Sequence, residues 1–472
     1  SRYPLDDFHG KLAATLRIMS ATERPLSRKT IATYAIGSLG TGGFATLPGL
    51  VLVYYLTDNL GLAAILSGVV VTVAKVWDVF IDPLIGAWSD RSLRTHGTRR
   101  RFMMIGALLL PVFFIVTFAV PLGLPAWLSA TWVFVAFVLT ATAFSLFQVP
   151  YIALPAELTD GYDQRTRLLA MRVVVLTVAI LLFGAGGPAL RSLGGSNHYL
   201  GYLVMAIVAG VVIGIGMLIS SRVAPVGIAA VSAPVEASAG YRAGFAVLRR
   251  SQPFRALVLT FLLQALATGL MLAGAQYIAT YVLKSEDAVT FLFIALIAPA
   301  ILFAPIWAAI ARRIGKERGF LIASILFGVA ALVMLGLLWV PGAWVYAPVA
   351  LAGAGYAGMQ SLPMSMLPDV ISFDAKTNGP GSAGAFGGIW TAGETTGMAL
   401  GATALTVILA ITGYTSSVAD KHAAQSPAAL AGIVLSFSIV PAVLIGASLI
   451  SLGRYKLRKT DIDEAAPAKV AA

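Results

Sequence analysis

Three ionisable residues, Lys75, Asp78 and Asp82, lie within an otherwise apolar stretch of the chain. This stretch, residues 63–88, is long enough to cross a bilayer as a helix. Spacings of three and four residues place the three side chains on one face of that helix. A charge in hydrocarbon costs at least about 2.5–3.5 kcal/mol, so such residues typically face a bundle interior and mark an ion or substrate path.

Two carboxylates beside a cation can bind a small cation, or hold a proton whose affinity depends on the neighbours. Pro83 follows Asp82 directly and removes an intrahelical hydrogen bond, which frees a carbonyl nearby. A structural ion pair between Lys75 and Asp78 is the plainer alternative, but it leaves Asp82 unexplained. We therefore expect a site for a coupling cation on this helix.

The composition of the chain is that of an integral membrane protein. Of its 472 residues, 58% are hydrophobic and only 11% are charged, with a mean hydropathy of +0.86. The formal net charge of +12 does not indicate nucleic-acid binding, because Lys and Arg lie in short loops between apolar runs. The lack of cysteine excludes disulfides, thiolate metal sites and cysteine catalysis.

The apolar runs predict an all-α membrane protein with twelve transmembrane helices in two six-helix halves. The predicted spans are residues 31–57, 63–88, 101–121, 127–154, 167–190 and 200–221, then 254–283, 288–311, 319–340, 343–367, 382–412 and 427–453. The corresponding division is a leader (1–30), an N-terminal bundle (31–222), a linker (223–253), a C-terminal bundle (254–455) and a tail (456–472).

Lys and Arg concentrate in alternate connections, which places the leader, the linker, the tail and both termini in the cytoplasm, with the spans in the plasma (inner) membrane. The two halves also resemble each other. Pro150 and Pro155 in the fourth span have the same spacing as Pro363 and Pro368 in the tenth. Paired halves with proline-broken helices at matching places are typical of alternating-access transporters, whose sites lie between the halves.

Two segments carry a resemblance to a known family. Residues 86–91, Gly-Ala-Trp-Ser-Asp-Arg, resemble the loop between spans two and three of the major facilitator superfamily. The preceding Trp77-Asp78…Asp82-Pro83 and the later Val149-Pro150-Tyr151…Leu154-Pro155 narrow this to the glycoside–pentoside–hexuronide:cation symporters, the melibiose-permease family. The resemblance covers nearly all of residues 32–455 and implies a secondary active transporter without enzymatic activity.

The resemblance also implies a cation site. The family's two acids of the second helix are matched by Asp78 and Asp82, and a hydroxyl of the fourth helix by Ser145. Lys75 stands where the family has a basic residue. An asparagine that contributes an oxygen in the melibiose permease falls at Ile81 here, so one ligand for Na⁺ is missing. Both H⁺ and Na⁺ stay open as the coupling ion, and no other cofactor is expected.

At the positions where the family binds sugar, this sequence departs further from the family's pattern. Two acids that hold galactoside hydroxyls are matched by Gly42 and Gln148, and two tryptophans by Ile152 and Gln360. Arg172 matches an arginine of the fifth helix. These departures argue against an unmodified galactoside as the solute.

The remaining polar and aromatic residues suit another solute. Arg172 can clamp a carboxylate or a phosphate. Glu394 falls where the family has a lysine, and it either binds a cationic group of the solute, pairs with Arg172 or carries a second proton. The other candidate contacts are amides and flat rings: Gln148, Gln264, Gln360, Tyr151 and Trp390.

A second set of charged residues lies at the predicted cytoplasmic face. We expect these residues to form a network that closes the transporter on its cytoplasmic side. Simple topogenic charge is the alternative. The network residues are Asp90, Arg91, Arg99, Glu157 and Arg165.

These observations favour a symporter that imports a small polar solute, a sugar, glycoside or sugar acid, coupled to H⁺ or Na⁺. A transporter of lysophospholipids or other amphiphiles is the alternative within the same fold, and a membrane enzyme or a non-transporting sensor is the remote one. The expected partners are the solute and the lipid bilayer, with no nucleic acid, and we expect a monomer.

Overall fold

A computed structural model describes residues 26–159, 162–226, 241–378, 383–418 and 423–457, and these fold into helices joined by short connections. Span 1 consists of α1 (Arg28–Ile36) and α2 (Ser38–Tyr54); spans 2 to 6 are α3 (Ala64–His96), α4 (Arg100–Phe118), α5 (Ala126–Leu158), α6 (Tyr162–Ser192) and α7 (His198–Ser221). The short helix α8 (Tyr241–Arg250) precedes the second half. Spans 7 to 11 are α9 (Gln252–Tyr277), α10 (Ala288–Ile314), α11 (Lys316–Val333), α12 (Tyr346–Asn378) and α13 (Ala383–Ile411), and span 12 is α14 (Pro427–Phe437) with α15 (Ile439–Leu452).

Eleven helical segments within the described ranges are long and apolar enough to cross a membrane. The tenth span, α12, is a helix of 33 residues whose Gly, Gln and Ser residues lower its hydropathy. It packs against α10 and α11 inside the second half. Each of the twelve predicted spans therefore corresponds to a helix or a helix pair, which confirms the predicted fold class. Most of the predicted leader (1–25), part of the linker (227–240) and most of the tail (458–472) lie outside the described residues.

The two halves repeat the same packing. In the first half, span 3 packs against spans 4 and 6, span 1 against span 5, and span 2 against span 4. In the second half, span 9 packs in the same way against spans 10 and 12, span 7 against span 11, and span 8 against span 10. Span 2 contacts span 11, span 5 contacts span 8 and span 1 contacts span 7, and these three pairs join the halves. The helix that carries Asp78 and Asp82 therefore lies at the interface between the halves.

Spans 1 and 7 end in matching π-helical turns, Tyr55–Asn59 and Ile278–Val282. We call the end of the bundle that carries them the outer end, because the sequence predicts it to face away from the cytoplasm. There, the amide of Ser417 donates to the carbonyl of Thr57 at 3.0 Å. The guanidinium of Arg191 also pairs with Glu286 at 3.2 Å across the halves. Among the residues described, the hydrogen bonds and ion pairs that join the two halves lie at the outer end or part-way along spans 2 and 11.

Candidate functional site

Span 2 brings the predicted cation-coupling residues together. The ammonium of Lys75 lies 3.4 Å from one carboxylate oxygen of Asp78, so the ion pair that the spacing suggested is formed. That pair uses only one of the two oxygens. The other oxygen of Asp78 and one oxygen of Asp82 are buried without a hydrogen-bond partner among the described residues.

Neighbouring spans complete this site. Ser145, on span 4, places its hydroxyl near the carboxylate of Asp82. The ammonium of Lys75 lies 5.5 Å from the centre of the Phe44 ring on span 1, close enough for a cation–π contact. Two carboxylates, a hydroxyl and an ammonium from two spans thus converge, and the unpaired carboxylate oxygens can accept a proton or a small cation.

Arg172, on span 5, is held by an aromatic ring. Its guanidinium lies 5.2 Å from the centre of the Tyr151 ring, and its buried Nε has no hydrogen-bond partner in the described structure. Tyr151 is fully buried and stacks on Tyr34 at 4.7 Å. Its hydroxyl donates to the Tyr34 carbonyl at 2.9 Å and contacts the hydroxyl of Ser38 at 3.1 Å. Tyr151 therefore positions Arg172, and its buried ring is not a free platform for a solute.

Gln148 lies close to span 1. Its side-chain oxygen accepts a hydrogen bond from the hydroxyl of Thr41 at 2.8 Å. That bond orients the amide, and the NH₂ group of Gln148 remains as a donor.

The second half contains a small cleft between spans 7, 10 and 11. Three of the predicted solute residues line it. The cleft is lined by Phe261, Gln264, Ala265, Thr268, Tyr356, Met359, Gln360, Glu394 and Met398. Phe261, Thr268 and Tyr356 were not predicted from the sequence, because an aromatic residue or a threonine is common in an apolar helix.

Trp390 lies behind this cleft, not on its surface. Its ring stacks on Phe261 with centres 4.2 Å apart, and its buried indole N–H has no partner among the described residues. Gln360 donates to the hydroxyl of Tyr356 at 2.7 Å. The predicted solute residues thus divide into a group around Arg172 in the first half and a group around Glu394 in the second.

The charge network at the other end of the bundle connects spans 2, 3 and 4. Arg99 pairs with Asp90 and, at 2.5 Å, with Glu157, and it donates to the hydroxyl of Ser89 at 2.8 Å. These described contacts stay within the first half, so they hold three of its spans together. A closing role stays a prediction.

Two members of the predicted network are not part of these contacts. Arg91 is exposed. The side chain of Arg165 lies outside the described residues.

One cluster of polar residues was not predicted from the sequence. Asp58, 3% exposed, accepts hydrogen bonds from Thr57 at 2.5 Å, from Tyr414 at 2.6 and 2.7 Å, and from Tyr281. In the sequence Asp58 stands at the end of span 1 and reads as a loop residue. The one sequence feature that points to this cluster is the abundance of tyrosine at the outer ends of spans 1, 7 and 11.

Comparison with known proteins agrees with this architecture. A sequence model of the family described as "MFS/sugar transport protein" matches residues 33–459. The chain belongs to this family. It is therefore a multi-pass membrane transporter and not an enzyme, which confirms both predictions.

Relatives within this family are similar to the chain over most of their length. The chain is 25% identical over 428 residues to the glucuronide carrier protein homolog of Escherichia coli, covering 88% of this chain and 90% of the relative. It is 25% identical over 427 residues to the isoprimeverose transporter of Lactiplantibacillus pentosus, covering 87% and 85%. The crystal structure of the nucleoside transporter NupG superposes with a TM-score of 0.64 at 12% identity, covering 92% of this chain and 100% of that one.

Proposed function

We propose that this chain is a symporter that couples the movement of H⁺ or Na⁺ to the import of a sugar, glycoside or sugar acid. The observation that carries the proposal is the pair of partly buried carboxylates on span 2. Asp78 and Asp82 each present an oxygen without a partner in the described structure, and a buried carboxylate is costly unless an ion or a proton compensates it.

The position of span 2 supports coupling. This span packs against span 11, which carries Glu394 and Trp390, and the hydroxyls of Thr72 and Thr403 join the two spans. An ion bound on span 2 and a solute bound on span 11 therefore act on the same contact between the halves. Each ligand shifts the conformational equilibrium only by its difference in affinity for the two states. Because the ion and the solute act on one contact between the halves, both can favour the same conformational states.

The residues around Arg172 support an oxygen-rich solute. The free Nε of Arg172 and the NH₂ group of Gln148 are donors that can bind hydroxyl or acidic oxygens. The relatives named for a glucuronide and for isoprimeverose suggest sugars or sugar acids of this kind. The proposed solute lies between the halves, with the Arg172 group on one side and the Glu394 cleft on the other.

The proposed setting is a bacterial inner membrane, with the chain acting as a monomer. The concentration of Lys and Arg in alternate connections supports cytoplasmic termini. The Arg99 network then lies at the cytoplasmic face, and the tyrosine-rich cluster around Asp58 faces the outside.

The test is solute uptake into proteoliposomes. Isoprimeverose, a glucuronide and the amino sugar D-glucosamine are offered under an imposed proton gradient, a sodium gradient, or neither. We expect accumulation with one of the two gradients. Asp78→Asn and Asp82→Asn should abolish accumulation while retaining exchange of labelled solute without a gradient, because the asparagine amide carries no titratable charge.

Asp287→Asn is the matched control, because Asp287 is exposed at the outer end and its variant should accumulate solute normally. Full gradient-driven accumulation by both span 2 variants would show that the ion assignment is wrong.

A further inference from the structure

The cleft in the second half contains a carboxylate without a counter-ion. Glu394 lines the cleft together with apolar, amide, hydroxyl and thioether side chains, and none of the lining residues is Lys, Arg or His. Within the described residues, Glu394 takes part in no hydrogen bond or ion pair. Glu394 is half-buried, and a partly desolvated carboxylate is stabilised by a proton or by a positive charge that arrives from outside.

A residue that lines the same cleft, Gln264, carries a second unused acceptor. Both N–H bonds of the Gln264 amide are oriented by hydroxyls, since its nitrogen donates to Ser324 at 2.9 Å and to Ser448 at 3.1 Å. This fixes the amide so that its oxygen points away from them. That oxygen is buried without a partner among the described residues, and the residue is 2% exposed. A single proton on Glu394 would leave the oxygen of Gln264 unsatisfied, whereas a group with several N–H donors can serve both acceptors.

The walls of the cleft suit a cation. Phe261 lines it and is fixed from behind by Trp390, and Tyr356 lines it from span 10. Aromatic faces attract ammonium groups, more strongly where water is excluded. The thioethers of Met359 and Met398 add polarisable surface. A carboxylate, a neutral acceptor and aromatic faces together form a site for an ammonium group.

We propose that this cleft binds the protonated amino group of the solute, and that the substrates are amino sugars or glycosides bearing a basic nitrogen. The inference rests on the proposed transport function, because it assigns one end of the same solute. The ammonium enters with its charge and compensates Glu394, while its N–H groups donate to Glu394 and to the oxygen of Gln264. A neutral sugar of the same size brings no charge, so it leaves the carboxylate unpaired.

The test measures binding to the purified full-length protein in detergent, without any gradient. The probes are D-glucosamine, D-glucose and N-acetyl-D-glucosamine, at a pH where the amine is protonated. The wild type should bind glucosamine at least about tenfold more tightly than the two neutral sugars, the difference expected for a charge-assisted contact. Glu394→Gln keeps the size of the side chain and removes its charge, so this preference should disappear.

Glu394→Asp and Glu317→Gln are the controls. Glu394→Asp keeps the charge and should keep a preference for glucosamine, even if its affinity falls. Glu317 lies in the first turn of α11, away from the cleft lining, and Glu317→Gln should bind as the wild type does. If Glu394→Gln does not fold, two other variants still test the two acceptors. The preference for glucosamine should be retained by Glu394→Asp and lost in Gln264→Leu.

The inference is overturned if the wild type binds glucosamine no more tightly than glucose, or binds none of the probes. It is also overturned if Glu394→Gln retains the preference. The result of this binding experiment can be distinguished from the result of the uptake experiment. Loss of gradient-driven accumulation would contradict coupling while leaving an amine preference measured in detergent intact.

Discussion

The guanidinium of Arg172 is positioned by the ring of Tyr151, at 5.2 Å, with its Nε buried and without a described partner. An arginine that faced a carboxylate would be neutralised in the resting protein. An arginine over an aromatic face retains its donors for another acceptor. The aromatic neighbour therefore leaves the donors of Arg172 available for the proposed solute.

We expect Arg172→Lys to raise the KM for an acidic sugar by at least about tenfold, because lysine cannot form two parallel hydrogen bonds to a carboxylate. Uptake of a neutral sugar should change less. The measurement is the initial rate of exchange in proteoliposomes as a function of solute concentration. Equal losses for acidic and neutral solutes would contradict a role for Arg172 in binding an acidic group.

Tyr151→Phe separates positioning from binding. The ring stays under Arg172, but the fully buried hydroxyl of Ser38 loses its partner, whereas the Tyr34 carbonyl still accepts from Ser220 at 3.2 Å. We expect a loss of about 1–3 kcal/mol in stability, seen as a lower Tm, with little change in KM. An unchanged Tm together with a large rise in KM would mean that the hydroxyl of Tyr151 itself contacts the solute.

At the scale of elements, close contact between spans 7 and 11 is what shapes the second half. A Cβ atom built on Gly401 would lie 2.4 Å from the backbone nitrogen of Leu270 and 2.5 Å from the carbonyl oxygen of Leu266. Small residues at such crossings let helix backbones approach and pack in a membrane, where lipid removes most of the hydrophobic driving force. This contact fixes the position of α13, which carries Glu394 and Trp390.

Gly401→Ala should therefore destabilise the protein by about 1–3 kcal/mol, the usual cost of forcing extra volume into a packed contact. The Tm in detergent measures the effect. Gly446→Ala is the control, because Gly446 is exposed on α15 and a Cβ there meets no atom within 4 Å. If both variants melt at the wild-type temperature, spans 7 and 11 do not require this close approach.

At the scale of the whole molecule, the π-helical turns that end spans 1 and 7 connect the two halves at equivalent positions. Asp58 is the fourth residue of its turn and Tyr281 the fourth of the other, and they are hydrogen-bonded to each other. Tyr414, just beyond α13, donates to the same carboxylate. Hydrogen bonds to a charged group are worth about 1.5–3 kcal/mol each, so this cluster stabilises the state in which the outer end is closed.

Asp58→Asn should weaken these bonds, because the neutral amide is a poorer acceptor than a carboxylate, and the outer end should then open more often. The chain has no cysteine, so spin labels can be attached at Leu122→Cys and Trp339→Cys, two outer-end positions that are 82% and 72% exposed. Electron–electron distance measurements should show a larger share of long distances in the Asp58→Asn protein. Asp287→Asn, in which an exposed outer carboxylate is changed, should keep the wild-type distribution, and an unchanged distribution for Asp58→Asn would contradict the closing role.

The sequence alone determined the properties that depend on near neighbours in the chain. Hydropathy defined the twelve spans, and the spacing of Lys75, Asp78 and Asp82 placed them on one face, because helix periodicity and the cost of charge in lipid are local. Only the tertiary structure showed that Tyr151 is buried beneath Arg172 and that Gln264 and Glu394 share a cleft. It also joined Asp58 to Tyr414, 356 positions apart. Contacts of this kind depend on how spans cross and on which backbones approach closely, and no single segment of sequence specifies that.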